Sequence, residues 1–363
     1  MTDIRCTNCR RPYPEQGVPY RCPVCSGLYD YAALPAYNPG KVEPTQPGIW
    51  RYLHTFGLPG DAPQVTIGEG DTPLVWRETF GRRMAFKLEF LNPTGSYKDR
   101  GTAVLCSFLR GRGVEAAVED SSGNAGASFA AYATASGIQA RVFVPDAASG
   151  PKRSQIERYG AQVVRILGPR SNAAQAAVRA VEQGAVYASH AYLPQVLAGY
   201  ATLAYDLYAQ MGEAPGAVVL PAGQGNLLLA VARGFLALKA AGLVERMPKM
   251  VGVQALACAP LWALFRYGAA GLGWVSEGET LAEGVRVRFP MRGDTVMQLL
   301  AEQDGLLVAV DEPDILPGRD QLARMGFYVE PTSAIVWNAL QQVAAELPDP
   351  VAVVLTGAGL KAL

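Results

Sequence analysis

Three sets of residues in this 363-residue chain have the types and spacing for chemistry: a lysine at 98 within NPTGSYKDRG, cysteines at 6, 9, 22 and 25, and Ser/Gly/Asn-rich turns at 121–126 and 223–226. Asn92, Pro93 and Gly95 are turn residues that end the strand read over FKLEF, 86–90, while DRGTAVLCSFLRG after Lys98 carries apolar residues at helical spacing. Lys98 therefore sits at a strand-to-helix junction, where the positive end of the helix dipole and burial disfavour its ammonium form. The neutral amine is a nucleophile suited to Schiff-base chemistry with an aldehyde cofactor. A lysine paired with Asp99 on a solvated helix start would account for the same residues; the two turns weigh against it.

VEAAVEDSSGNAGASFAAYATASG, 114–137, reads as strand, turn and Ala-rich helix. Its SSGNAGAS turn presents backbone N–H groups and hydroxyls at a helix N-terminus, an anion site, although Ser and Asn also serve as ordinary N-caps. APGAVVLPAGQGNLLLAVARG, 214–234, repeats the pattern: after a buried strand, Gly223, Gln224, Gly225 and Asn226 can converge backbone amides on a phosphate. This turn is neither G-x-x-x-x-G-K-[ST] nor G-x-G-x-x-G.

Cys6/Cys9 and Cys22/Cys25 form two C-x-x-C knuckles, the spacing of a four-cysteine zinc ribbon in which each short turn offers two thiolates to one metal. With all four positions filled the metal is structural; a rubredoxin-like iron is the second choice. Two metal-free dithiols would leave a short Pro-, Gly- and Tyr-rich segment with almost no core. Residues 1–32 read as the ribbon and 33–48, ALPAYNPGKVEPTQPG, as a linker.

The elements that must position these groups are short apolar strands alternating with helices, such as ARVFVPD (140–146), AQVVRIL (161–167), MVGVQA (250–255), GLLVAVD (305–311) and AVVLTGAG (352–359), a pattern of βαβ units on parallel sheets. Half of the residues are apolar and 18% are charged, the balance of a well-buried α/β enzyme. Zero formal net charge argues against a nucleic-acid partner. No signal peptide is read at MTDIRCTNC; the most apolar run, 226–244, is interrupted by Arg233 and Lys239, so no membrane span is expected either. The cysteine usage points to a reducing cytoplasm. With only His54 and His190 in the chain, a Ser/His/Asp or Cys/His nucleophile system is not expected; both read as satisfied or surface residues, His190 in a segment neighbouring the candidate pocket.

The lysine decamer, the Ser/Asn turn, the Gly-rich turn and LTGAGLK near the C-terminus occur in an order, over residues 67–361, that resembles the threonine synthase and threonine dehydratase group of pyridoxal-phosphate enzymes. The resemblance implies the tryptophan synthase β-like fold, called fold type II: an α/β protein of two parallel-sheet, three-layer domains beside the zinc ribbon. It implies a large cofactor domain of 49–100 and 190–363, a small mobile domain of 101–189, the cofactor in the cleft between them, and a homodimer. By the same resemblance Lys98 carries pyridoxal 5′-phosphate. Asn124 touches the ring oxygen, and Ser121, Ser122, Gly123 and Asn124 hold the carboxylate of a small amino-acid substrate. Gly223, Gln224, Gly225, Asn226 and Leu227 form the phosphate loop, and Thr356 faces the pyridine nitrogen, where a hydroxyl restrains the electron sink and favours elimination and replacement. Tyr97 stands where Phe is expected, Ala125 replaces a hydroxyl residue of some relatives, and the phosphate loop is one residue shorter than the threonine synthase form. The ribbon and LTGAGLK favour threonine synthase, acting on O-phosphohomoserine. The stretch LPQVLA, 193–198, lacks the basic residue expected to meet that substrate's phosphate, which keeps a threonine/serine dehydratase or β-replacement enzyme open. A non-catalytic zinc-ribbon binding protein is the alternative of a different class, opposed by the presence of Lys98 and both anion turns.

Overall fold

The structure is a computed structural model that describes residues 3–146, 150–168 and 170–361. In chain order its elements are β1 (Ile4–Cys6), β2 (Tyr29–Tyr31), β3 (Leu74–Thr79), β4 (Arg82–Lys87), α1 (Lys98–Gly111), β5 (Ala116–Glu119), α2 (Asn124–Ala135), β6 (Gln139–Pro145), α3 (Pro151–Arg158), β7 (Gln162–Ile166), α4 (Arg170–Glu182), β8 (Val186–Tyr187) and α5 (Gln195–Met211). Beyond these come β9 (Ala217–Pro221), α6 (Asn226–Ala240), β10 (Lys249–Ala255), α7 (Pro260–Tyr267), α8 (Gly293–Glu302), β11 (Leu306–Val310), α9 (Glu312–Arg324), α10 (Pro331–Val343) and β12 (Val351–Val354). They fall into two compact units, one within 3–71 and 92–200, the other within 72–91 and 201–361.

The first unit carries a four-stranded sheet in the order β7-β6-β5-β8, parallel throughout. Its strands are Val- and Ala-rich, and Val118, Phe143 and Tyr187 pack with Ala173, Ala176, Ala177 and Ala180 of α4. Small alanines at helical spacing let that helix lie close on the sheet. The ribbon belongs to the same unit: β1 pairs antiparallel with β2, Tyr13 packs edge-on against Tyr29, and Tyr20 meets both Tyr187 and Tyr192 at centroid distances of 5.2 and 5.1 Å. Arg21 places its guanidinium 5.0 Å from the Tyr192 ring and donates to the Tyr192 hydroxyl.

The second unit holds a six-stranded sheet, β11-β10-β9-β12-β4-β3. Five strands run parallel, and β3 joins β4 antiparallel as an edge strand. The reversal follows from a two-residue hairpin, Phe80 and Gly81, both with positive φ (52° and 70°), as a type I′ connection requires. The core lies where the Val-rich strands β9 to β12 meet α10, with Ile335, Val336, Ala339 and Leu340 wholly or almost wholly buried. The strand expected to reach residue 90 ends earlier, at Lys87. Its partner β12 is only four residues long and pairs from Val351↔Met84 to Val354↔Lys87, so the ladder stops there and Glu89–Leu91 turns as a 3-10 helix. Residues 226–240 of the apolar stretch form the largely buried helix α6, and among the described residues no helix is long and apolar enough to cross a membrane.

Candidate active site

Lys98 is the first residue of α1, as its place after the turn residues requires. Gly95, at φ 83°, closes the preceding turn by donating its N–H to the Asn92 carbonyl, and Asn92 accepts from the Gly70 amide through its side chain. Asp99 is occupied by this turn: its carboxylate accepts from the Thr94 amide at 2.7 Å and the Thr94 hydroxyl at 2.6 Å. The carboxylate that an ordinary surface lysine would have used therefore ties the turn to the helix start. Lys98 itself is half-buried, its Nζ 4.6 Å from the Tyr97 ring centroid and 5.8 Å from that of Tyr200. An ammonium over ring faces is stabilised by the ring quadrupole, and among the described residues Lys98 has no ion-pair partner.

In the first unit's sheet the chain leaves β5 for β6 and β7 on one side and returns to β8 on the other. The carboxyl ends of β5 and β8 thus flank a topological switch point, the place where α/β sheets bind ligands. After β5 come Asp120 and the turn at 121–123, and α2 begins at Asn124 with Gly123 as its N-cap. The Ser121 hydroxyl accepts from the Gly123 amide, which keeps the turn folded over the helix N-terminus. After β8 comes His190, whose Nδ1 lies 2.6 Å from Oε1 of Glu119, the last residue of β5. Glu119 is fully buried, and burial, with the neighbouring Asp120 charge, pushes its carboxyl well above the usual range. Burial, with the positive charges of Lys98 and Arg170, pushes His190 well below its usual range. Arg170 reaches the Asp120 carboxylate at 3.7 Å, and Tyr187 is held un-ionised by burial beside Asp120 and Glu119.

The second unit repeats the arrangement. From β9 the chain moves outward to β10 and β11, while β12 lies on the other side of β9, so β9 and β12 flank a second switch point. The Gly-rich turn follows β9 and Thr356 follows β12. Gly225 has φ 78°, a left-handed conformation that favours glycine, and it places the amides of Asn226 and Leu227 at the first turn of α6. The side chain of Gln224 faces away from anion duty: its Oε1 accepts from the Met291 amide at 3.0 Å. Buried Arg292 lies 3.5 Å from Oδ1 of Asn226. Thr356 is buried, its amide donates to the Ser333 hydroxyl at 2.9 Å, and its own Oγ1 has no hydrogen-bond partner among the described residues. A buried, orphaned hydroxyl is costly unless a ligand atom completes it. With a Gly-rich helix N-terminus beside the neighbouring strand, these residues fit a planar heterocycle bearing a phosphate.

The sulfurs of Cys6, Cys9, Cys22 and Cys25 lie within 4.8 Å of one another, with 3.4 Å between Cys6 and Cys25 and 3.6 Å between Cys9 and Cys22. A zinc–sulfur bond of about 2.3 Å puts tetrahedral sulfurs roughly 3.8 Å apart, so the set fits one ion.

Sequence reading named Lys98, the 121–124 turn, the 223–227 turn, Thr356 and the four cysteines, and the structure places them at a helix start, at strand ends and in one sulfur cluster. It did not name Glu119, Ser333 or Arg292, and it read His190 as a satisfied or surface residue. A glutamate closing an otherwise apolar strand, AAVE, was the available signal.

A family model described as "Pyridoxal-phosphate dependent enzyme" matches residues 65–357. The chain belongs to this family of pyridoxal-phosphate dependent enzymes, and it has the α/β fold of the tryptophan synthase β-like type. Its curated relatives include threonine synthases: that of Methanocaldococcus jannaschii is 30% identical over 98% of this chain and 92% of that protein, and that of Synechocystis is 34% identical over 86% and 82%. Among solved structures, a threonine deaminase from T.th. aligns with a TM-score of 0.65 and 29% identity over 79% of this chain and 92% of that one. Maize serine racemase, at 21% identity and a TM-score of 0.68 over 79% and 88%, shares the fold. With threonine synthase homologues along most of its length, the chain is a lyase of that family.

Proposed function

We propose that this protein is a threonine synthase, converting O-phosphohomoserine and water to threonine and phosphate. The observation that carries the reading is a Lys98-bearing chain aligned with threonine synthases over almost its whole length. Pyridoxal 5′-phosphate, when bound, supplies the electron sink that makes the substrate's Cα and Cβ protons removable. Lys98 would hold the cofactor through its aldehyde, and its amine would move protons at the substrate Cα. The amides and hydroxyls at Ser121, Ser122, Gly123 and Asn124 would hold the substrate carboxylate, and the Asn124 side chain would meet the ring oxygen. The amides of Gly223, Gln224, Gly225, Asn226 and Leu227 would hold the phosphate, and the orphaned Thr356 hydroxyl would meet the ring nitrogen.

A second reading, a threonine or serine dehydratase or a β-replacement enzyme, is favoured by one observation. Leu193, Val196, Leu197 and Ala198 are buried apolar residues, so the stretch where a cation for the substrate phosphate was expected belongs to the core. The two readings separate in a titration of the purified protein with O-phosphohomoserine, threonine, serine and O-acetylserine, followed by the visible absorption of the cofactor. A change with O-phosphohomoserine alone, and release of phosphate, supports threonine synthase; changes only with the others move the assignment to the second reading.

The ribbon ion we assign as zinc. Elemental analysis is expected to give one zinc per chain. Structural zinc sites contribute about 10–16 kcal/mol of apparent binding free energy, so chelation or Cys22→Ser should unfold the ribbon and release Tyr20 from its edge-on contacts with Tyr187 and Tyr192. Near-UV circular dichroism reports that release. A metal-free protein with an unchanged aromatic spectrum would show that the cysteines are not a zinc site.

A further inference from the structure

At the switch point of the first unit, Glu119 and His190 are 71 residues apart in sequence and 2.6 Å apart in space, and no role assigned above uses them. Their setting is unusual for a purely structural pair. A buried carboxyl bonded to an imidazole costs desolvation on both sides, and replacing such a pair with apolar residues is often neutral or stabilising. Here the pair closes the two strand ends beside the 121–124 turn, and the Lys98 charge is felt at both members. The groups facing them are Asp120 on the same strand end, Tyr187 on β8, Tyr200 on α5, Arg170 at the start of α4 and Lys98 at the start of α1; the last two are cations that disfavour a third on the imidazole.

We propose that His190, oriented by Glu119, is a further catalytic residue, delivering a proton to the oxygen that leaves the substrate side chain. This rests on the lyase reading of the Lys98 site. The pair holds one proton more than a carboxylate with a neutral imidazole. Glu119 carries it as a neutral carboxyl, in keeping with its burial, and donates to Nδ1. When the carbon–oxygen bond breaks, its electron pair stays on oxygen, the Nε2 proton passes to that oxygen, and the Glu119 proton moves to Nδ1. The pair is left as a carboxylate and a neutral imidazole, and one proton from solvent restores it. No imidazolium forms at any point, which suits a site already holding Lys98 and Arg170. The assignment matches the reaction class, since a hydroxyl or phosphate departs more easily as it gains a proton.

The test uses the cofactor-loaded full chain, with His190→Asn, His190→Gln and Glu119→Gln, the last of the same shape as the carboxyl it replaces. Cofactor absorption and substrate-induced spectral change are expected to match wild type in all three, because neither residue attaches the cofactor or holds the carboxylate. Turnover on whichever substrate the enzyme accepts should fall roughly 10²-fold in the His190 variants, with KM within about threefold. In wild type kcat should fall at alkaline pH, as Glu119 loses the shared proton above its raised pKa; Glu119→Gln, slower throughout, should lack that limb. His190 variants with kcat within about threefold of wild type, or a Glu119→Gln profile superimposable on wild type, would overturn the proposal. A protein with no Lys98-dependent cofactor band fails at the prior reading instead, and the two failures are told apart by the spectrum.

Discussion

Lys98→Ala is expected to bind the cofactor without attaching it, to lose the visible band of the attached cofactor, and to lose turnover by roughly 10³-fold or more. The size of the effect follows from position. Lys98 opens α1 with its Nζ beside the Tyr97 and Tyr200 rings, and the nearest acidic side chain in sequence, Asp99, is bonded to Thr94. Lys98→Arg is the informative companion, because it keeps a cation over the same rings yet cannot deliver a neutral amine at any accessible pH. Both variants should fold, as the turn is held by Thr94, Asp99 and Asn92 and not by the lysine. Absorption spectra and stopped-flow turnover check this; a Lys98→Ala protein turning over at the wild-type rate would remove the lysine from the mechanism.

Gly126→Ala should be among the most damaging single methyl groups in the first unit. A Cβ at this position would lie 1.8 Å from the Ser121 carbonyl oxygen and 2.9 Å from its carbon, both backbone atoms that cannot rotate away. Either the 121–124 turn lifts or the first turn of α2 shifts. Overpacking of this kind costs about 1–3 kcal/mol, and here the upper end is expected because no side chain can yield. The same displacement moves the amides proposed to bind the substrate carboxylate, so KM for the amino acid should rise about 10²-fold while the cofactor spectrum persists, a misplacement effect. Thermal melts and steady-state kinetics read the two consequences separately. Unchanged melting with KM within about twofold would mean that the turn bears no substrate.

The core location of 193–198 bears on specificity. Those residues are buried, and Arg292, a buried cation of the second unit, lies beside Asn226 of the proposed cofactor loop. An enzyme using phosphorylated substrate must therefore meet its phosphate with groups other than the ones sequence reading sought. The titration with O-phosphohomoserine addresses this directly.

The sequence by itself determined the chemistry-bearing turns. Turn residues before Lys98, Gly-rich stretches after apolar strands, and paired C-x-x-C knuckles act over a few residues, through backbone conformation and local hydrogen bonds, and so are legible one segment at a time. Gly225 had to adopt its left-handed conformation for α6 to start where it does. The early end of β4 was not legible, because it depends on the length of β12, more than 250 residues away. The antiparallel edge strand β3 was legible only as Phe80-Gly81, a weak hairpin signal. Tertiary structure alone decided what meets at the strand ends. Strand order sets β5 beside β8 and β9 beside β12, and that order brings Glu119 to His190 and puts the turn after β9 and Thr356 after β12 on the two sides of one switch point. Such pairings are fixed by the packing of apolar strand faces and by the handedness of the crossovers, properties of the whole sheet that no single segment contains.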